Sequence, residues 1–266
     1  MQLAEMKVAF LGKSGFIAVA LVILVSTSLF LRPLEHALSN ELEYPIKIDE
    51  ISGLDDALGQ GVILGVLGGL RTLFADFAWL QLNQCWERQD RVGLNAFIQL
   101  VTSMHPKSEH FWVNSARILA YDVSHWRIAS EGGNELLGFE ARERIHAEQA
   151  FRGIELLLKA LQHHPESATL RLEVGKIYLN RLKDYELATE WFARALNLKG
   201  VPDYAVRVYS DLLCKLGRQQ EAYQFLTQEY LLLSEQNSVH AQILLERIDA
   251  LEMNLNIPPG ERLLAE

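Results

Sequence analysis

The sequence predicts an all-α protein, in which pairs of helices stack into an α-α superhelix that follows a single transmembrane helix. Three observations support this prediction. A 16-residue uncharged and almost wholly apolar run lies near the N-terminus. From about residue 70 onward, apolar residues recur at helical spacing with few β-branched runs. In the second half of the chain, two helical stretches are related by a constant offset, which is typical of a repeat architecture.

Composition argues against several classes of protein. The 266 residues include 34 acidic and 25 basic side chains, a net charge of −9, whereas a nucleic-acid partner requires clustered Lys and Arg. A mean hydropathy close to zero is too low for a polytopic membrane protein and too high for a disordered chain. Cys85 and Cys214 match no metal-binding or redox spacing, which favours two separate buried thiols over a disulfide.

Residues 1–36 carry the membrane signal. The run Phe16–Leu31 rises about 24 Å as a helix. Its flanks, from Lys13 to Leu34, bring the segment to roughly the 30 Å thickness of the bilayer hydrocarbon. We therefore expect a single-pass membrane anchor over residues 16–34, preceded by a short stub.

The charges around the run set its expected orientation. Lys7 and Lys13 precede it and Arg32 follows, a weak bias that places the N-terminus in the cytoplasm and the C-terminal domain outside it. That domain is periplasmic if the source is a Gram-negative bacterium. Ser26 and Ser28 also fit a cleaved signal peptide. Cleavage there would leave a sticky apolar N-terminus, so an uncleaved anchor is favoured.

An acidic linker, residues 37–56, leads into a glycine-rich stretch at residues 59–81. The stretch does not fit a phosphate-binding loop, because its glycine spacing is one residue too long and the P-loop lysine is missing. As a second membrane span it is opposed by Arg71 and Asp76, whose charges lie near its centre. The remaining interpretation is a helix packed on other helices.

Two patterns in this stretch support helix packing. Gly61, Gly65 and Gly69 recur every fourth residue and form a smooth face that another backbone can approach closely. Further along, apolar residues follow the three-and-four spacing of a core stripe. The stripe comprises Leu70, Leu73, Phe74, Phe77 and Leu80.

A period of 34 residues relates residues 172–198 to residues 209–226, with Ala188 and Ala222 as matched small residues. In detail these stretches resemble the tetratricopeptide (TPR) family. Gly175 and Tyr178 match the first-helix pattern L-G-x2-Y. Ala188, Phe192, Ala195 and Leu196 match the second-helix pattern A-x3-F-x2-A-L.

The resemblance implies a solenoid of helical pairs with a groove that binds protein partners. Small residues such as Gly175, Ala188 and Ala222 are expected where the helices of a pair cross, and Tyr178 and Phe192 beside the crossing. Such a pair cannot bury its apolar face alone, so several must stack. The TPR-like domain is expected over residues 57–236, with the last two repeats clearest, at residues 168–236. The four expected pairs are residues 73–106, 107–165, 168–202 and 203–236.

Three features depart from a regular array. The third pair has one extra residue between its helices, near Arg181 to Asp184. The second pair carries a surplus at about residues 122–146, containing a double-glycine loop, which is either decoration or a contact site. Residues 237–266 are expected to form a capping helix, with Ser238 as its N-cap, followed by a tail.

The sequence contains no catalytic or metal-binding motif. His105 and His110 lie on either side of Pro106 and do not share a helix face. The HExxH, GxSxG and P-loop patterns are absent, and the carboxylates are spread over solvated helix faces. We therefore expect no enzymatic activity, no cofactor and no metal, and a small-molecule ligand is disfavoured.

Function is expected in the groove that TPR proteins line with their first helices. The candidates follow fourfold spacing: Lys176 and Asn180 in the third pair, and Arg207, Asp211 and Lys215 in the fourth. Basic residues in a groove can hold a peptide carboxylate. Chaperone-binding TPR proteins use such a clamp, but Leu172 stands where its first lysine would be, so that role is not carried over. The alternative is an ordinary solvated face.

Two functions fit these observations. The first is a membrane-anchored TPR-like scaffold that binds protein partners and helps to assemble or stabilise a multiprotein membrane complex. The second is an accessory subunit of a membrane transporter or membrane enzyme, with residues 57–80 packed against the partner's transmembrane helices. The second would return the repeat domain to the cytoplasm.

Overall fold

The computed structural model describes residues 71–233 and 238–263, which form helices and turns without a strand. The predicted all-α class is confirmed for this part of the chain. The predicted anchor (16–34), the linker (37–56) and the glycine face (Gly61, Gly65, Gly69) lie outside the described residues. No described helix combines the length and apolar character needed to cross a bilayer.

The chain divides into two compact units, residues 1–105 and residues 106–266. The described part of the first unit is a pair of helices, α1 (Arg71–Glu87) and α2 (Arg91–Met104). Asp90 is the N-cap of α2, because its carboxylate accepts two backbone N–H groups of the first turn at 3.1 Å. This cap defines the turn between the two helices.

The buried side of α1 differs from the predicted core stripe. Leu73, Phe77 and Leu80 are 63%, 51% and 58% exposed, so their assignment to the core was wrong. The residues of α1 that are buried are Ala75, Ala78 and Leu82. Small alanine side chains let a neighbouring helix approach closely, and the size of the apolar residues therefore did not identify the packing side.

The second unit is a succession of helices between residues 109 and 261. In chain order they are α3 (Glu109–Arg117), a π turn (Ile118–Asp122), α4 (Val123–Ser130), α5 (Gly133–Leu136), α6 (Phe139–His163), α7 (Ala168–Ile177), a second π turn (Tyr178–Leu182), α8 (Tyr185–Leu196), α9 (Tyr204–Lys215), α10 (Gln219–Leu232), α11 (Val239–Asn254) and a 3-10 turn (Pro259–Glu261). Each π turn continues the helix before it without a break in right-handed backbone.

These helices pack as consecutive pairs, which gives the unit a helical-repeat character. With α1 and α2 as the first pair of the chain, the second pair is α3 and α4 against α6, the third is α7 against α8, and the fourth is α9 against α10. Within the second unit each pair also contacts the next, and α11 packs on α10. Apolar clusters therefore continue from pair to pair, as stacked repeats require.

The surplus at residues 122–146 lengthens both helices of the second pair. It adds α4 to the end of the first helix and allows α6 to begin at Phe139. The connecting turn contains Gly132 and Gly133, with φ angles of 114° and 68° that glycine adopts readily. Arg127 of α4 ties the extension to α6 through an ion pair of 2.6 Å with Glu148.

Small residues lie at the helix crossings, as the repeat pattern predicted. A Cβ on Gly175 would lie 2.7 Å from the ring of Phe192, which is fully buried. A Cβ on Gly153 would lie 2.8 Å from the carbonyl oxygen of Ala116. Ala188 and Ala222 are completely buried. The glycines are thus required by close contact between neighbouring helices.

The extra residue predicted near Arg181 to Asp184 is accommodated by a π turn. One additional residue widens the helix over Tyr178–Leu182, and Lys183 then ends it in the left-handed region at φ 55°. Asp184 begins α8, accepting the backbone N–H of Leu187 at 2.9 Å. The repeat keeps its helix packing despite the added length.

The last helix is capped as predicted and closed by the chain that follows it. Ser238 accepts the backbone N–H of Ala241 at 3.2 Å. The buried Glu252 carboxylate accepts the Tyr223 hydroxyl at 3.2 Å and the backbone N–H of Leu263 at 2.8 Å. The segment after α11 is therefore fixed against α10 and α11.

Candidate functional site

A row of polar side chains joins the first helices of the three pairs in the second unit. Arg117 of α3 donates to both carboxylate oxygens of Glu173 on α7, from Nε at 2.9 Å and from Nη2 at 2.7 Å. Lys176 Nζ lies 3.3 Å from the same carboxylate and 4.9 Å from the ring centroid of Tyr204 on α9. We call the surface formed by these residues, with Tyr121, Asn180, Arg181, Arg207, Asp211 and Lys215, the A-face.

The A-face network is charged at neutral pH. Burial alone would raise the pKa of Glu173, but hydrogen bonds and charges from Arg117 and Lys176 outweigh it and lower that pKa. The hydrogen bond to Glu173 raises the pKa of Arg117. Burial opposes the charge on Lys176, yet contacts with Tyr204 and Glu173 raise its pKa. All three groups therefore keep their charged forms.

The two π turns meet at the A-face. Arg181 Nη2 donates to the carbonyl oxygen of Tyr121 at 2.9 Å, and its guanidinium lies 4.7 Å from the centroid of the Tyr121 ring. The same nitrogen is 3.1 Å from Nε2 of His125. Tyr121 in turn donates its hydroxyl to the carbonyl oxygen of Lys176 at 3.4 Å. Such π turns are frequent at functional sites, because they redirect side chains and backbone carbonyls.

Two histidines lie beside this junction. The rings of His125 and His146 have centroids 5.4 Å apart. Burial, followed by the nearby charges of Arg181 and His125, lowers the pKa of His146. In the residues that the structure describes, no three His, Cys, Asp or Glu side chains are grouped so that they could hold a metal ion.

The predicted groove residues are distributed along the A-face in different environments. Lys176 lies at its centre, and the exposed Asn180 lies one turn further along. On α9, Arg207 is partly exposed, while Asp211 forms an ion pair with Arg247 of α11. Lys215 is exposed, with Nζ 4.8 Å from the ring centroid of Tyr185. Asp211 is thus already paired, while Asn180 and Lys215 are open to solvent.

Several A-face residues were not predicted from the sequence: Arg117, Tyr121, Arg181 and Tyr204. The repeat pattern was clear only over residues 168–236, so α3 was not aligned with α7. The sequence signal was partial: the extra residue near Arg181 to Asp184 marked the second π turn, whereas no pattern marked the first at Ile118–Asp122.

Comparison with known proteins gives no family model that matches the chain and no matching curated protein. Function must therefore be inferred from the residues of the A-face and from the exposed side of α1.

Proposed function

We propose that the protein is a membrane-anchored, TPR-like scaffold that binds protein partners on the A-face. It helps to assemble or stabilise a multiprotein membrane complex and has no catalysis of its own. The observation that carries this proposal is the continuous row of contacts from Arg117 through Glu173 and Lys176 to Tyr204. Because this row fixes three helices to one another, it holds the exposed polar side chains beside it in a defined arrangement.

The TPR-like and membrane parts of the proposal rest on the sequence. Gly175, Tyr178, Ala188 and Phe192 follow the family's spacing, and consecutive helix pairs are what that spacing requires. The apolar run within residues 16–34 has the length of one membrane span. The N-terminus is placed in the cytoplasm and the repeat domain on the other side.

The scaffold role is tested by purifying the full chain from its native membrane in a gentle detergent. We expect it to migrate as part of a larger assembly whose other members are membrane-complex subunits. Migration of the protein alone would contradict the proposal.

The accessory-subunit function is retained as a second candidate because of α1. Leu73, Phe77 and Leu80 leave one side of this helix apolar and exposed. In this candidate, residues 57–80 pack against the transmembrane helices of a partner.

Reporter fusions after Leu34 and after Asn83 separate the two candidates. The scaffold with one membrane span places both reporters on the same side of the membrane. Readouts from opposite sides would contradict the one-span model and favour the accessory subunit.

A further inference from the structure

Charge is segregated between the two helices of each of the last two pairs. On α7 with its π turn and on α9, basic side chains outnumber acidic ones by five to two. On their partners α8 and α10, acidic side chains outnumber basic ones by four to one. The five basic residues are Arg171, Lys176, Arg181, Arg207 and Lys215, and the four acidic residues are Glu186, Glu190, Glu221 and Glu229. The A-face is likewise basic in a chain of net charge −9, because it carries Arg117, Lys176, Arg181, Arg207 and Lys215 but only the carboxylates of Glu173 and Asp211.

Three of the A-face cations have no carboxylate partner among residues 71–233 and 238–263: Arg181, Arg207 and Lys215. By contrast, Arg117 and Lys176 share Glu173. The carboxylates of Asp122 and Glu143 act on Arg181 through space. The A-face thus has positive charge that the described part of the chain does not neutralise by contact.

Tyrosine rings hold two of these three cations in place. Arg181 lies over Tyr121 at 4.7 Å, and Lys215 lies over Tyr185 at 4.8 Å. A ring orients a cation through its quadrupole but, unlike a carboxylate, does not cancel the charge. Both side chains are therefore ordered in advance, which lowers the entropic cost of binding. Lys215 is exposed, whereas Arg181 is half-buried and already donates Nη2 to the Tyr121 carbonyl, so only the rest of its guanidinium is offered to an anionic group.

We propose that the A-face binds an extended, acidic segment of a partner protein, whose carboxylates contact Arg181, Arg207 and Lys215. This inference rests on the proposed scaffold function and specifies the chemistry of its partner. Guanidinium groups donate two hydrogen bonds to one carboxylate, and the lysine contributes a compact charge.

The arrangement fits a short acidic segment better than a nucleic acid or an anionic membrane. A polyanion or a lipid surface would extend beyond the A-face to α8 and α10, where Glu186 and Glu229 repel it. The carboxylates of Glu173 and Asp211 also interrupt the basic row. A protein segment can place its acidic residues only opposite the cations.

The test uses the full-length protein in detergent micelles and fluorescence anisotropy of labelled probes. The probes are a peptide with glutamate at alternate positions, the same peptide with glutamine, and oligothymidine of the same length. Competition by soluble glycerophosphoglycerol, the headgroup of phosphatidylglycerol, tests lipid-headgroup binding without a bilayer into which the anchor could insert. We expect the glutamate peptide to bind and its affinity to fall as the salt concentration rises.

Two triple variants with the same change in charge identify the binding surface. The first variant combines Arg181→Gln, Arg207→Gln and Lys215→Gln. It should lower the affinity for the glutamate peptide by about tenfold or more, since the loss of a single charge-assisted contact has that effect. The control combines Lys159→Gln, Arg194→Gln and Arg218→Gln, three surface cations already paired with carboxylates. It should leave the affinity nearly unchanged. Arg181→Lys keeps the positive charge. It should retain most of the affinity for the glutamate peptide, because the inference assigns binding to charge.

The outcomes are distinct. An equal loss in both triple variants would show an effect of net charge and overturn the inference. Equal or tighter binding of the glutamine peptide, the oligonucleotide or the soluble headgroup would also overturn it, as would no binding of the glutamate peptide at low salt. Purification from the native membrane tests the scaffold function without any peptide. If the protein migrates in a larger assembly but does not bind the glutamate peptide, the acidic partner is rejected and the scaffold function is retained.

Discussion

Arg117 and Glu173, 56 positions apart in the chain, form a two-point ion pair that joins the first helices of consecutive pairs. The Glu173 side chain is 4% exposed, whereas that of Arg117 is 47% exposed. A buried carboxylate is retained at low cost only when it is fully hydrogen-bonded, and here Lys176 supplies a further contact at 3.3 Å. This pair fixes the register between α3 and α7 and thereby shapes the A-face.

Replacing Glu173 with glutamine should lower the free energy of unfolding by about 1–3 kcal/mol, because Arg117 and Lys176 then lose the negatively charged carboxylate that both contact. Urea denaturation followed by circular dichroism measures the effect. The control is Glu190→Gln, which removes an exposed carboxylate paired with Arg194 within α8. It should change the stability by less than about 0.5 kcal/mol. Equal effects of the two substitutions would show that the buried pair does not join the helices.

Because the pKa of Glu173 is lowered in the folded protein, the free energy of unfolding of the second unit should depend on pH in the acidic range. A carboxylate whose pKa is lower in the folded state contributes its full stabilisation above its ordinary value of 4.5. The stabilisation is lost as the pH falls through the lower, folded value. Glu173→Gln should therefore flatten the dependence of unfolding on pH below 4.5, while Glu190→Gln keeps the wild-type slope. An unchanged slope in Glu173→Gln would rule out this linkage.

Gly175→Ala should destabilise the second unit by about 1–3 kcal/mol, since the new methyl group would press on the buried ring of Phe192. Gly260→Ala is the matched control, because a Cβ there meets no atom within 4 Å. We expect thermal denaturation to leave this control near the wild type. A Gly175→Ala variant of wild-type stability would mean that the crossing of α7 and α8 is looser than described.

The packing side of α1 can be tested by truncating one residue on each side. Leu82→Ala should cost about 2–5 kcal/mol, since Leu82 is completely buried. Phe77→Ala should cost much less in the isolated protein, because half of the Phe77 side chain is exposed. Hydrogen exchange of the α1 and α2 amides reports the local stability. If Phe77→Ala destabilised the protein more than Leu82→Ala, the result would contradict this packing and support the core stripe expected from the sequence.

The helical pairs could be predicted because close crossings restrict residue size. Gly175 and Ala188 have no space for larger side chains, and this constraint recurs at the repeat period. The same reasoning found the extra residue of the third pair and the cap at Ser238. It did not find the side of α1 that packs, because two alanines contribute little to an apolar pattern although they allow the closest approach.

The A-face was predicted only in part, for a geometric reason. Spacing along one helix identified Lys176 on α7 and Asn180 in the π turn that follows it as neighbours. Contacts between helices, such as that of Tyr121 with Arg181, depend on the register that the two π turns set. A π turn shifts every later side chain around the helix, so a fixed spacing of 3.6 residues does not carry across it.

Site-specific photo-crosslinking in the native membrane tests the partner-binding role of the A-face most directly. A photoreactive side chain replaces Asn180, which is exposed on the A-face, or Glu190, which is exposed on α8. We predict that a partner protein crosslinks to position 180 and not to position 190. Crosslinking from position 190 alone, or from neither position while the protein remains folded in its membrane, would contradict the account.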